Sequence, residues 1–248
     1  MIQEADLKNW KYALYRSCWD MLDLLFPPEC GGCGTAGSRW CVDCQKRVNI
    51  LNGILCDICG LPQDRVGVCD ACRLEKPHFR ALRAWSVFED PVQKALHKLK
   101  YRRDISMGDA LASQMITFVN ELNWQIDLIV PIPLGRLRFK ERGYNQVGMI
   151  AKPLALALNM RYAPNELFRR KETRSQVGLT KMERKANVQN AFQGGAGVIG
   201  KSILVMDDVS TTGSTLSSAA EALYSCGARN VYALTVARAL PHHGLGHV

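Results

Sequence analysis

The sequence predicts an α/β fold: a mostly parallel sheet flanked by helices, with a small metal-binding module at its N-terminal side. Three observations predict it. Strand-like stretches at 82–88 and 127–132 and a short continuous apolar run at 203–206, the pattern of a strand buried on both faces, alternate with stretches of helical apolar spacing. Eight of the ten cysteines fall into four Cys-x-x-Cys pairs between Cys30 and Cys72. At 248 residues the chain has room for one full α/β domain plus something small.

The first segment, 1–26, is helical in pattern. Leu7, Trp10, Leu14, Cys18, Met21 and Leu25 recur at spacings of three and four and draw one apolar stripe, which Trp19, Leu22 and Phe26 widen. Pro27 and Pro28 stop the helix. Its polar face is mixed in sign, so it is expected to dock on the protein's own core or on a twin subunit rather than on a membrane surface.

The second segment, 27–76, carries the pairs Cys30/Cys33, Cys41/Cys44, Cys56/Cys59 and Cys69/Cys72. Each pair forms a knuckle that points two sulfurs at one ion, and four thiolates satisfy a tetrahedral Zn²⁺, so eight make two closed structural sites. One such pair is ambiguous with a redox dithiol; four in two groups are not. Pairing by proximity groups Cys30, Cys33, Cys41 and Cys44 on one ion and Cys56, Cys59, Cys69 and Cys72 on the other. An interleaved, cross-braced pairing satisfies the same spacing. The segment has few large apolar side chains and is expected to need its metal to fold.

The third segment, 77–240, is the α/β domain. A strand at 82–88 is followed by Asp90-Pro91, read as an N-cap and a first-turn proline. The helix behind it carries Val92, Ala95, Leu96 and Leu99 and ends in Lys98, Lys100, Tyr101, Arg102 and Arg103. A helix over about 105–122 leads to a strand at 127–132, and then to a cation-rich loop containing Arg136, Arg138, Lys140 and Arg142. A helix over 146–158, bent or interrupted near Pro153, and a short strand at 166–169 come next. Residues 170–187 hold Arg174 and Lys181 among six cations and read as a long exposed loop, a candidate lid over 170–184. A last strand at 230–236 precedes a tail, 241–248, that is expected to be disordered.

The densest chemistry lies at 203–215, Ile-Leu-Val-Met-Asp-Asp-Val-Ser-Thr-Thr-Gly-Ser-Thr. Asp207 and Asp208 fall at the carboxyl end of an apolar strand, where open α/β sheets bind ligands. Thr211, Thr212, Gly213, Ser214 and Thr215 follow, and Leu216, Ala219, Ala220 and Leu223 continue at helical spacing. A helix N-terminus rich in hydroxyls suits a phosphate, and adjacent carboxylates suit sugar hydroxyls. The plainer alternative is a β-turn-α connection in which Asp208 and the hydroxyls only cap the helix. No Gly-x-x-x-x-Gly-Lys occurs, which excludes a Walker P-loop.

Pro27-Pro28, the four knuckles, His97-Lys98-Leu99-Lys100-Tyr101, Pro131-Ile132-Pro133-Leu134, Glu141-Arg142-Gly143-Tyr144-Asn145-Gln146 and the 207–215 stretch together resemble the ComF and GntX family of bacterial proteins. The resemblance spans 24–238. It implies a double zinc ribbon joined to a domain of the type I phosphoribosyltransferase fold, and an association with DNA uptake, in natural competence or in the use of DNA as a nutrient. It also implies that Asp207 and Asp208 hold the ribose 2′ and 3′ hydroxyls of phosphoribosyl pyrophosphate (PRPP). Residues 211–215 would hold its 5′-phosphate, with Mg²⁺ bridging pyrophosphate and ribose oxygens. Arg136 and Arg138 are the candidates for the pyrophosphate, at a spacing that departs from better-characterised family members.

Three functional classes follow from this reading. The chain is a phosphoribosyltransferase; or it binds PRPP or a nucleotide without turnover and holds single-stranded DNA on basic surfaces that include Lys98, Lys100, Tyr101, Arg102, Arg142, Arg174 and Lys181; or its zinc ribbons are an adaptor, for instance toward other DNA-uptake proteins. The formal charge of +9 suits polyanionic partners, although two Zn²⁺ on eight thiolates lower it by roughly four. No apolar run reaches the roughly 18 residues of a membrane span, so a cytoplasmic protein is expected, one able to act at the inner face of the membrane. No general base and no acceptor base stand out.

Overall fold

The fold was obtained as a computed structural model, which describes residues 10–170 and 190–240. Helix α1 (Trp10–Leu25) precedes two short cysteine-bearing helices, α2 (Val42–Lys46) and α3 (Asp70–Leu74). The α/β domain then runs β1 (Leu82–Val87), α4 (Val92–Tyr101), α5 (Ser106–Glu121), β2 (Leu128–Pro131), α6 (Arg136–Arg142), α7 (Gln146–Ala157) and β3 (Arg161–Tyr162). After the short β4 (Leu167–Arg169) and β5 (Phe192–Gly194) come β6 (Ser202–Ser210), α8 (Ser214–Ser225) and β7 (Asn230–Arg238).

Five strands form one parallel sheet in the order β1-β7-β6-β2-β3, and β4 and β5 pair antiparallel beside it. Alternation along β6 sends Leu204 and Met206 to one face, against Leu96 and Leu99 of α4, Leu111 and Met115 of α5, and Ile150 and Leu154 of α7. Ile203 and Val205 face the other way, against Leu216, Ala219 and Leu223 of α8. From β2 the chain steps outward to β3, whereas from β6 it steps the opposite way to β7. The crevice between the carboxyl ends of β2 and β6 is therefore the topological switch point of the sheet.

Edge strand β1 is covered by the cysteine module. Leu82 donates to the Ile58 carbonyl at 2.7 Å, Val87 to the Asn49 carbonyl at 2.8 Å, and Ile50 bridges Ser86. Backbone groups that would otherwise template pairing with another chain are thus satisfied.

Four local expectations change. The apolar stripe of α1 does not meet the body: Trp10, Leu14, Met21 and Leu25 are exposed, and no residue of α1 is buried. The helix docks by its opposite face, through Tyr12 to Ser113 and through Arg16 to the buried Asp109 at 3.2 Å, with Arg39 lying over Trp19 and bonded to Asp23. Asp90 is not a cap; it ion-pairs with Lys94 at 2.6 Å, and α4 starts after a cis Asp90-Pro91 bond without a side-chain cap. The cation-rich loop after β2 contains helix α6, closed by Gly143 in the left-handed region (φ 85°). Pro153 lies inside α7 without interrupting it. Proline has no N–H for the Met149 carbonyl, and Gly108 of α5 packs so close to that oxygen that a Cβ there would lie 2.6 Å from it. Arg174, Lys181, most of the expected lid, residues 1–9 and the tail at 241–248 lie outside the described residues.

Candidate functional site

The acidic pair sits where β6 outruns its neighbour. Met206 is the last residue of β6 paired with β2, opposite Pro131, while β6 continues through Asp207 and Asp208 to Ser210 along β7. Both carboxylates are thus held by an extended backbone at the switch point, and strand alternation turns them to opposite faces. Asp208 faces α4 and α7. Its Oδ2 accepts from Lys100 Nζ at 2.9 Å and from Gln146 Nε2 at 3.0 Å, and its Oδ1 accepts from the Val209 N–H at 2.7 Å. Asp207 Oδ1 accepts only the adjacent Asp208 N–H, at 2.9 Å, among the bonds resolved for it.

The two carboxyls are pushed apart in acidity. Burial raises Asp207 first, and the neighbouring Asp208 charge adds to it, up to about 8. Burial acts on Asp208 too, but the Lys100 charge and bond, Gln146 and the Val209 N–H outweigh it and hold it below the ordinary value. The Asp207 carboxyl is thus shifted toward its protonated form and the Asp208 carboxyl toward its ionised form.

The small-residue loop follows. Gly213 caps α8 in the left-handed region (φ 77°) with no side-chain cap, and Thr212 Oγ1 accepts the Ser214 N–H at 3.3 Å and donates to Ser214 Oγ at 3.0 Å. The N-terminus of α8 thus comes directly after the acid-bearing strand, and Thr211, Thr212, Ser214 and Thr215 supply hydroxyls there.

The junction after β2 is pinned on the other side of the crevice. Ile132 donates to the Met206 carbonyl at 2.8 Å, Asn145 Nδ2 to the Ile132 carbonyl at 2.9 Å, and Arg169 Nε to the Pro133 carbonyl at 3.1 Å. Asn145 also caps α7, its Oδ1 accepting the Val147 N–H at 3.1 Å. Arg136 and Arg138 open α6 and are exposed, facing solvent at the rim.

The other candidate cations divide. Lys100 is half-buried in the site, and Lys98 reaches the Cys30 carbonyl at 2.9 Å. Tyr101 and Arg102 are exposed, and the Arg142 guanidinium lies 5.7 Å from the centre of the Tyr101 ring while bonding to Gln146 Oε1. Sequence reasoning quoted Asn145 and Gln146 without giving them a role. The available signal was an Asn-Gln pair at a helix start, directly after a glycine-ended basic segment.

The cysteines gather in two groups, Cys30/Cys33/Cys41/Cys44 and Cys56/Cys59/Cys69/Cys72, each with all four sulfurs within 4.8 Å of one another. The sequential pairing holds and the cross-braced one does not. Four sulfurs this close compete for negative charge. The Thr35 hydroxyl and N–H lower Cys33 to about 6, while burial lifts Cys44 to about 12. A dication resolves that competition, and backbone N–H groups already point at sulfur, Cys41 to Cys30 at 3.4 Å and Cys69 to Cys56 at 3.3 Å. The donor set fits Zn²⁺.

Fold and sites together define a double zinc ribbon joined to a phosphoribosyltransferase domain. The double zinc ribbon domain model matches residues 21–73, and the phosphoribosyl transferase domain model matches residues 107–242. The chain is 31% identical over 201 residues to the DNA utilization protein YhgH of Escherichia coli K12, covering 79% of this chain and 88% of that one. It is 27% identical over 231 residues to the competence protein ComFC of Bacillus subtilis, covering 89% of each. The chain belongs to the ComF/GntX family. Among solved structures it resembles the Bacillus subtilis glutamine PRPP amidotransferase complexed with ADP and GMP (TM-score 0.38, 17% identity, 52% of this chain and 26% of that one). A Staphylococcus aureus hypoxanthine phosphoribosyltransferase gives a TM-score of 0.35 at 15% identity, covering 57% of this chain and 67% of that one.

Proposed function

We propose that the crevice between β2 and β6 binds PRPP, and that the protein serves DNA uptake or utilisation. One observation carries the reading: two adjacent carboxyls, fixed on a strand at the switch point, stand directly before a hydroxyl-rich helix N-terminus. Asp208, shifted toward its ionised form, accepts from a ribose hydroxyl, and Asp207, shifted toward its protonated form, is suited to donate as well as accept. Residues 211–215 take the 5′-phosphate, and Arg136 and Arg138 at the crevice rim supply counter-charge for pyrophosphate.

Asp208 is committed to Lys100, and among the described residues only the two cysteine groups bring three or more potential ligands together. Mg²⁺ would accordingly arrive with the substrate, carried by the diphosphate, and would supply charge neutralisation for the leaving group. In transfer, the C1–oxygen bond to pyrophosphate breaks as a nucleophile bonds to C1, and the nucleophile's proton is lost to solvent. The chain's own contribution is positioning and electrostatic preorganisation.

Calorimetry with Mg·PRPP tests the site. Wild type should bind in the micromolar range and Asp207→Asn/Asp208→Asn should not; unchanged affinity in the double variant sinks the assignment. Pyrophosphate release over a panel of bases separates a transferase from a binder. A second reading, single-stranded DNA on the rim, is favoured by Tyr101, Leu137, Phe139 and Arg142 exposed or half-buried beside Arg136 and Arg138. DNA affinity that does not fall with salt contradicts it.

A further inference from the structure

We propose that Lys100 is the built-in cation of this pocket, so that the ribose 5-phosphate half of the ligand binds without a divalent ion. The inference rests on the ribose-phosphate reading of the site and goes beyond it. Lys100 Nζ lies 2.9 Å from Asp208 Oδ2 and its side chain is only 16% exposed. A lysine this enclosed is not a solvated surface charge, and its position is fixed by its neighbours on the last turn of α4. Lys98 bonds to the Cys30 carbonyl of the first zinc knuckle, and the Leu99 carbonyl accepts from the Tyr144 hydroxyl. Gln146 holds the same carboxylate oxygen from the opposite side and is itself held by Arg142. Three consecutive residues, each anchored to a different part of the molecule, deliver one ammonium to the acid pair.

The consequence is electrostatic. A pair of bare carboxylates repels an incoming phosphate dianion, and a site of that kind relies on a metal to offset the repulsion. Here the Lys100 ammonium already sits on Asp208 at 2.9 Å, and Asp207 is shifted toward its protonated form, so the acid pair presents less negative charge to the ligand than two free carboxylates would. An ammonium has three donors, and Asp208 takes one of them. A sugar hydroxyl that bonds to Asp208 would thereby approach the same ammonium.

The test uses the zinc-loaded full chain and ribose 5-phosphate, which has the hydroxyls and the phosphate but not the diphosphate that carries Mg²⁺. Titrations run in resin-treated buffer without chelator, with and without millimolar Mg²⁺. Wild-type affinity should change by less than about threefold on adding Mg²⁺, and Lys100→Met should lose about tenfold without Mg²⁺. Lys100→Arg, which keeps the charge, should stay within about threefold of wild type. Zinc content and melting temperature report whether each variant is folded, and the wild-type comparison needs no variant at all. A gain of about tenfold or more on adding Mg²⁺ to wild type overturns the inference, as does undiminished binding by folded Lys100→Met without Mg²⁺. Failure of wild type to bind Mg·PRPP defeats the underlying reading instead, so the two failures are distinguishable.

Discussion

The cysteine module and the α/β domain are held together by different physics. In the module the metal ligands make up much of the interior: Cys30, Cys44, Cys56, Cys59 and Cys72 are buried, with Ile58, Leu61 and Val68 half-buried against the second group. Val48 and Leu51 are buried against the α/β domain instead, and Val42, Ile54, Val66 and Leu74 are exposed. In the domain, both sheet faces are covered by aliphatic residues such as Leu204, Val205, Ile129 and Leu216, all within 1% of complete burial. A segment of fifty residues without a sizeable apolar core folds around its ions, whereas the domain does not need them. The two meet through cations that reach back to knuckle carbonyls. Lys98 goes to Cys30, Arg83 to Cys56 and Asp57, and the nearly inaccessible Arg238 to Cys59 at 2.9 Å.

That difference can be broken from either side. Cys56→Ser should have the largest effect: zinc falls from two per chain to one, and the second ribbon is lost, costing several kcal/mol. Metal analysis and proteolysis read it, and retention of two zinc ions contradicts the four-sulfur grouping. Leu204→Ala should do the converse, costing about 2–5 kcal/mol in the domain by opening a cavity, with both zinc ions kept. Loss of zinc in that variant would show the two regions to be one cooperative unit.

Within the domain, the acid pair is a local cost. Asp207 is raised to about 8 in the fold, so the unfolded chain releases this proton at lower pH than the folded one. Its contribution to stability is complete below about pH 4 and is lost as pH rises through about 8, by about 1 kcal/mol per pH unit between them. Asp207→Asn should remove that slope and be the more stable protein at pH 8 in ligand-free melts; an unchanged slope between pH 6 and 8 contradicts it. Gly213→Ala should act least, by about 1 kcal/mol, because φ 77° is unfavourable to a Cβ. Its nearest contact, Leu82 Cδ2 at 3.4 Å, is otherwise tolerable. PRPP affinity should fall with it.

The elements legible in the sequence were those with a strong local signature. Apolar runs marked β1, β2 and β6, and cysteine spacing marked the knuckles. The 203–215 stretch, with its apolar strand, two acids and small-residue turn, drew attention to the crevice. What was missed depends on distant partners or on orientation. Periodicity draws a stripe on α1 but cannot say which face docks, and here a polar face wins because buried Asp109 draws Arg16 and Arg39 toward it. Helix α6 was hidden because its residues are cationic and flanked by Gly135 and Gly143. Lys100 read as one of a run of surface cations, since nothing local announces a partner 108 positions away, Asp208. That the two acids meet different neighbours was readable in principle, because adjacent residues in a strand face opposite ways.

The most direct test of the central claim is a crystal structure of the zinc-loaded chain soaked with Mg·PRPP. The 5′-phosphate should lie on the loop of Thr211 to Thr215, with the ribose hydroxyls on Asp207 and Asp208 and the diphosphate directed toward α6. Ligand density confined to the basic rim, with Asp208 still bonded to Lys100 and Gln146 and neither acid touching the ligand, would contradict it.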